Sequence, residues 1–222
     1  MQAYGTPVKF TPGTKFERSI FGYKLLGKIL EAVTGKKYYI LARNLLNRLH
    51  MHDTHPSDAG YFSAIRNKYP NLVRGFSENK EGNIIINNIR HNTDDNPAAG
   101  FISNANDLIK WNLNLMTSKV VKDNFLQKML SPQVHIKNHR WGKMTYGYGI
   151  QIDYYDGIVE YSNSGTHHGY TSSLIYYPNY HLSIVVLENI SYQKSNIKRA
   201  FSVHDKIRSL VRQHIILNKR PD

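Results

Sequence analysis

Apolar residues at Tyr23, Leu26, Ile29, Leu30 and Val33 recur at the period of an amphipathic helix starting near Gly22, and Gly35 supplies its stop. YYILARNLLNRL repeats the pattern at Ile40, Leu41, Leu45 and Leu49 and predicts a second helix. Upstream, residues 1–21 are rich in Gly, Pro and Thr and are expected to be irregular. Residues 52–99 are rich in Asn, Asp, Gly and Pro, broken only by NIIINN; they predict a long loop-dominated excursion of the kind that often lines a site. GFISNANDLIKWNLNLM then reads as a helix capped by Ser103 or Asn104, with Leu108, Trp111 and Leu115 on one face.

After Pro132 the period shortens. YGYGIQIDYYDGIVEY contains two strand-like runs joined at Asp156-Gly157, a two-residue hairpin signal. YTSSLIYYPNYHLSIVVLEN is a second pair, turning at Pro178-Asn179. SNIKRAFSVHDKIRSLVRQHII predicts a terminal helix with Ala200, Val203, Ile207, Leu210 and Val211 as its buried stripe. Loops and helices over 1–131, then an antiparallel meander with a covering helix over 132–222, describe an α+β fold.

A chain of 222 residues with 41% hydrophobic and 12% aromatic content can bury a core, which excludes a disordered chain. The formal charge of +13 would suit nucleic acid, anionic lipid or an acidic ligand. The lysines, however, are spread along the chain with no block of basic residues interleaved with aromatics, so the charge reads as a solvated basic surface and not as a nucleic-acid site. With no cysteine, disulfides, thiolate zinc sites and a cysteine nucleophile are excluded. No run approaches membrane-spanning length. MQAYGTPVKF lacks a basic region followed by an apolar run, so the chain as it stands is expected to be cytoplasmic.

Five stretches carry a family likeness. PGTKFERSIFGYKLLGKILEAVTGKKY resembles a Pro-Gly-x-x-Phe-x-Tyr-Ser-Asn-x-Gly-Tyr-x-x-Leu-Gly segment. LHMHDTHP resembles Leu-Gly-Met-x-x-Thr, PAAGFISNANDLIKW resembles Ala-Gly-Gly-x-x-Ser-Thr-Ala-x-Asp-Leu, and YGYGI and YSNSGTHHGYTSSLIYYP resemble a Tyr-Gly-x-Gly strand and a third active-site motif. In order and spacing they resemble the serine β-lactamase-like family, in the branch of class C β-lactamases, D-alanyl-D-alanine carboxypeptidases and related esterases. The resemblance runs from about Thr6 to the C-terminus and implies part of the β-lactamase/transpeptidase-like fold.

It also implies a site: a Ser-x-x-Lys nucleophile and lysine, a Tyr-x-Asn motif, and a Lys-Thr-Gly or His-x-Gly strand beside the oxyanion hole. The nucleophile is expected upstream of Pro12. SENK at Ser77, SYQK at Ser191 and SNIK at Ser195 fit the pattern but not its place. Tyr-x-Asn is Arg18-Ser19-Ile20: an arginine cannot act as the base, an isoleucine cannot hydrogen-bond, and only Ser19 keeps its identity. In the third motif Asn163 stands for Lys or His, while Ser164 and Gly165 match. His167 and His168 follow at the expected cleft rim, as a proton relay or as solvated loop histidines.

His50, His52, Asp53 and His55 in HMHDTH invite a metal reading, but within the resemblance only Met51 and Thr54 of that loop are motif-like, and no metal or cofactor is expected. Asp94-Asp95 reads as a solvated turn rather than a carboxylate dyad. Together these readings lead to the expectation of an N-terminally truncated, catalytically inactive relative: a pseudoenzyme. Apolar surface on the meander and on the first helix would then be left exposed, met by self-association or an upstream partner segment. Two alternatives stand beside it: an acyl hydrolase completed by a missing N-terminal segment, or a binding module for a small acidic ligand. Members of the family are commonly exported.

Overall fold

The computed structural model describes residues 7–93, 96–167 and 169–218; Asp94, Asp95 and His168 lie outside them. Helices α1 (Ile20–Thr34) and α2 (Tyr38–Arg48) come first. Short elements follow: β1 (His55–Pro56), β2 (Gly60–Tyr61), α3 (Phe62–Lys68), β3 (Phe76–Glu78), β4 (Ile84–Ile86), β5 (Arg90–His91) and β6 (Phe101–Ile102). Helices α4 (Ala105–Met116) and α5 (Asp123–Leu130) lead into β7 (Val134–His139), β8 (Gly142–Tyr146), β9 (Gln151–Tyr155), β10 (Ile158–His167), β11 (Tyr170–Tyr177) and β12 (Leu182–Glu188). Strand β13 (Ile190–Ser191), α6 (Ile197–Ala200) and α7 (Ser202–Leu217) complete an α+β architecture.

Strands β7 to β12 form a six-stranded antiparallel sheet whose spatial order follows the chain. Asp156 (φ 49°) and Gly157 (φ 72°) are both left-handed, the backbone a tight β9–β10 turn requires. One core lies between sheet and α7, where Ile158, Ile175, Tyr177 and Ile215 are buried with Leu182, Ile184 and Val211 packed on them. A second joins α2 to α4 through Leu46, Leu49, Met51 and Trp111.

Local chemistry sets the helix ends. Ser19 is extended and its Oγ accepts the Gly22 N–H at 3.0 Å, so α1 starts at Ile20, two residues earlier than the apolar spacing predicts. Asn104, not Ser103, caps α4 by accepting the Asp107 N–H at 2.9 Å. The excursion at 52–99 holds helix α3 and strands of two or three residues, too short to show a period. Helix α5 was not expected from the sequence.

The apolar stripe of α7 differs from expectation, whereas that of α1 is exposed as expected. On α7, Val203 and Leu210 are 45% and 55% exposed, while His204, Arg208, Arg212 and Ile215 are buried. The sheet face beneath carries Asp153 and Glu160, so guanidinium partners rather than alkyl groups fix the helix's rotation. On α1, Leu26, Leu30 and Val33 face outward at 54%, 47% and 79% exposure; its one buried residue is Gly27, pressed against Pro97. A Cβ on Gly27 would stand 2.3 Å from Pro97 Cγ.

Candidate active site

The second and third motif positions are linked through neighbours: the charge of Arg18 acts on Arg140, which donates to Ser164, and the Tyr23 hydroxyl of α1 stands beside Gly149, whose carbonyl accepts from Asn163. Strand β9 pairs with β10 only as far as Ser162, so Asn163–His167 are bonded to β11 alone and present an open edge. On that edge Asn163 is exposed and its Nδ2 donates to Gly149 O at 3.0 Å. A Cβ built on Gly165 would meet no atom within 4 Å, so the space in front of the third motif is open.

Ser164 points the other way, into protein. Its Oγ accepts from Arg140 Nη1 at 3.2 Å. The Arg140 guanidinium lies 3.8 Å from the Phe201 ring centre and 4.1 Å from that of Trp141, and its Nε donates to Asp205 at 3.3 Å. Among the described residues, Arg140 Nη2 is buried without a hydrogen-bond partner. Burial lowers the Arg140 pKa; Asp205 opposes this, and the charges of Arg208 and Arg18 lower it further.

Arg18 is exposed, and its charge is also felt at Tyr146 on β8. The Tyr146 hydroxyl is pushed up to about 12, first by burial and then by its hydrogen bond with Tyr23. A phenol so shifted stays protonated at neutral pH and is no substitute for the motif's missing base. Ser19 has its hydroxyl committed to the α1 cap, and Ile20 is 69% exposed. The His167 ring meets the buried His91 ring edge-on at 5.9 Å.

The remaining candidates serve the fold. Ser77 Oγ and Ser191 Oγ lie 3.0 Å apart across β3 and β13, with Asn87 Nδ2 and the Gly169 N–H donating to them at 2.5 and 3.1 Å. Ser195 is exposed in a single turn before α6. Of the HMHDTH residues, His55 stacks on Tyr69, Asp53 accepts from Asn104, and the His50 and His52 rings meet edge-on. No group of three or more His, Asp or Glu side chains that could hold a metal occurs among the described residues. Thr54 Oγ1 instead ties two family-like stretches together, 2.7 Å from Ser103 Oγ and donating to Asp107 at 3.0 Å. Burial raises the Asp107 pKa, but hydrogen bonds from Lys110, Thr54 and the Asp53 N–H outweigh it and hold the carboxyl below its ordinary value.

Sequence reasoning missed Arg140, Tyr23 and Tyr146 as members of this cluster. Arg140 sits in the β7–β8 turn, 24 residues before Ser164, and nothing in the local pattern HRWG joins the two.

Solved structures share this architecture. A penicillin binding protein from Bacillus halodurans is 26% identical with a TM-score of 0.70 over 92% of this chain and 59% of its own. An octameric penicillin-binding protein homologue from Pyrococcus abyssi is 25% identical with a TM-score of 0.69, over 82% and 40%. A D-amino acid amidase from Ochrobactrum anthropi SV3, 17% identical, shares the fold at a TM-score of 0.71 over 94% and 59%. The chain therefore spans 59% or less of the length of these three relatives. No curated protein has a significant sequence match. The Beta-lactamase family model matches residues 2–206, and the chain belongs to that family of serine hydrolases. No helix among the described residues is long and apolar enough to cross a membrane.

Proposed function

We propose that this polypeptide is a β-lactamase-like scaffold that does not perform acyl transfer by itself. The observation that carries the reading is the second motif: Arg18 replaces a base, Ile20 replaces a polar side chain, and the retained Ser19 is spent on capping α1. Acyl transfer needs a nucleophile, a base and oxyanion donors in one place. Of the three serines of Ser-x-x-Lys pattern, Ser77 and Ser191 have their hydroxyls tied to each other, to Asn87 and to the Gly169 N–H, and Ser195 lies in the turn before α6. Incubation with a fluorescent penicillin followed by intact-mass analysis is expected to show no acyl adduct. A stoichiometric adduct on any serine overturns the reading.

A second reading is favoured by exposed surface. Seven aliphatic or aromatic residues of α1 other than Tyr23 are at least 40% exposed, from Ile20 to Val33. The outer edge of β12 has no partner strand among the described residues. Such a patch and edge ordinarily receive protein. In this reading a further segment bearing Ser-x-x-Lys covers them and restores hydrolysis of an ester, amide or D-alanyl peptide. Penicillin acylation that appears only when such a segment is co-expressed supports it; a monomeric, cooperatively unfolding chain that ignores the segment counts against it. A third reading rests on Arg140 Nη2: the cluster of Arg18, Arg140 and Ser164 holds a small carboxylate. Salt-sensitive binding of N-acetyl-D-alanine lost in Arg18→Ala supports that role, and binding indifferent to the substitution removes it.

A further inference from the structure

On another face of α1 lies a groove of about 590 Å³, walled by α1, the start of α2 and the segments around Ser57 and Pro97. It shares Arg43, Pro56 and Tyr69 with an adjoining hollow of about 280 Å³. Small-molecule sites fall in this size range and combine aromatic walls with a few convergent polar groups. Here Tyr38, Tyr39 and Tyr69 provide the aromatic surface.

The charge of the groove is unbalanced. Lys24, Lys28, Lys37 and Arg43 line it against two carboxylates, Glu31 and Asp58. Lys24 and Lys28 stand one turn apart on α1, about 6 Å along the axis, so both face the same side. Both carboxylates are already engaged. Glu31 accepts from the Tyr38 N–H at 2.9 Å and Lys28 Nζ at 3.1 Å, and these two bonds, in that order, hold it below its ordinary pKa. Asp58 accepts from Lys68 Nζ at 2.6 Å and from the Tyr69 hydroxyl at 3.2 Å. Lys37 and Arg43 are exposed, and the Arg43 guanidinium lies 6.0 Å from the Tyr39 ring centre. A planar cation beside a ring, in a groove lined by further cations, suits a tetrahedral oxyanion attached to a body that packs on tyrosine.

We propose that this groove binds a small organic molecule carrying two or more phosphate or sulfate groups. Lys37 and Arg43 hold the oxyanions, and the tyrosines cover the organic body. Nothing in this site uses Arg18, Ser164 or the third motif, so it stands whichever account of those residues holds.

Calorimetric titration of the full chain with inorganic pyrophosphate, and separately with a disulfated disaccharide, tests it. Saturable one-site binding of at least one probe is expected, weakened at least tenfold in the double variant Lys37→Ala/Arg43→Ala. The tighter probe decides between phosphate and sulfate. Lys198→Ala, which removes an exposed charge on α6, is expected to leave the affinity unchanged. If the double variant loses its unfolding transition, Arg43→Gln alone replaces it, with a loss of at least threefold expected. Absence of saturable binding by both probes overturns the proposal. So does an equal loss in Lys198→Ala, which would mean general attraction to a chain of net charge +13.

Discussion

Replacing Arg208 with methionine tests whether ions rather than alkyl groups hold α7 to the sheet. Arg208 Nε donates to both oxygens of Glu160, at 2.8 and 3.0 Å, and its Nη2 pairs with Asp153. Arg212 reaches the same two carboxylates at 2.8–3.0 Å, and the Tyr177 hydroxyl donates to Glu160 at 2.8 Å. Glu160 is fully buried, and the four charged groups sum to zero. Removing one partner of a buried ion pair costs about 3–5 kcal/mol, because the other charge is stranded. Here Glu160 keeps Arg212 and Tyr177, so the lower end applies, about 3 kcal/mol. For a chain of this size that corresponds to a fall in Tm of about 6–12 °C. Urea unfolding is expected to show a lower midpoint with an unchanged slope. Adding Glu160→Gln to Arg208→Met is expected to cost less than the sum of the two single losses. A loss below about 1 kcal/mol for Arg208→Met, with additive double-variant energies, would refute the reasoning and make the quartet equivalent to an apolar contact.

The other predictions concern single groups. His204 is fully buried with Nδ1 2.9 Å from Ser173 Oγ and Nε2 2.8 Å from Glu188; burial, ahead of the opposing Glu188 charge, lowers its pKa. The unfolded chain then takes up the proton more readily, so this contribution to stability is full above about pH 6.5 and is lost as pH falls toward the lowered folded value. Unfolding free energy measured between about pH 5 and 7 is expected to slope upward with pH, and His204→Gln to flatten that slope. Ser19→Ala is expected to cost about 1 kcal/mol in thermal unfolding through loss of the α1 cap, whereas Ser19→Asp restores it. Gly27→Ala is expected to lower the unfolding midpoint because its methyl meets Pro97, while Gly165→Ala, facing open space, leaves it unchanged.

What the sequence discloses depends on how local the cause is. The Asp156-Gly157 turn and the Asn104 cap act within three residues and could be read directly. The rotation of α7 could not, because it follows from Asp153 and Glu160 on neighbouring strands, and arginines at a four-residue spacing read as a solvated face. The candidate site divides in the same way. Its motif residues Arg18–Ile20 and Asn163–Gly165 carry their family likeness in sequence, but the contact that gives Ser164 its partner crosses a hairpin to Arg140.

The pairing of β13 with β3 bears on when this chain can fold as it is made. It is parallel, with Ile190 opposite Phe76 and Ser191 opposite Ser77, and the two serine hydroxyls meet across 114 residues of sequence. A contact of that span forms late, because most of the intervening chain must close first. During synthesis, β3 and β4 leave the ribosome as a bare hairpin and wait for nearly the whole meander before their sheet gains its third strand. The β3–β4 hairpin of the first half therefore waits on a strand made after the meander. A nascent chain arrested before Ile190 is expected to remain open to protease around Phe76–Ile86, and to close there only once Ser191 has emerged.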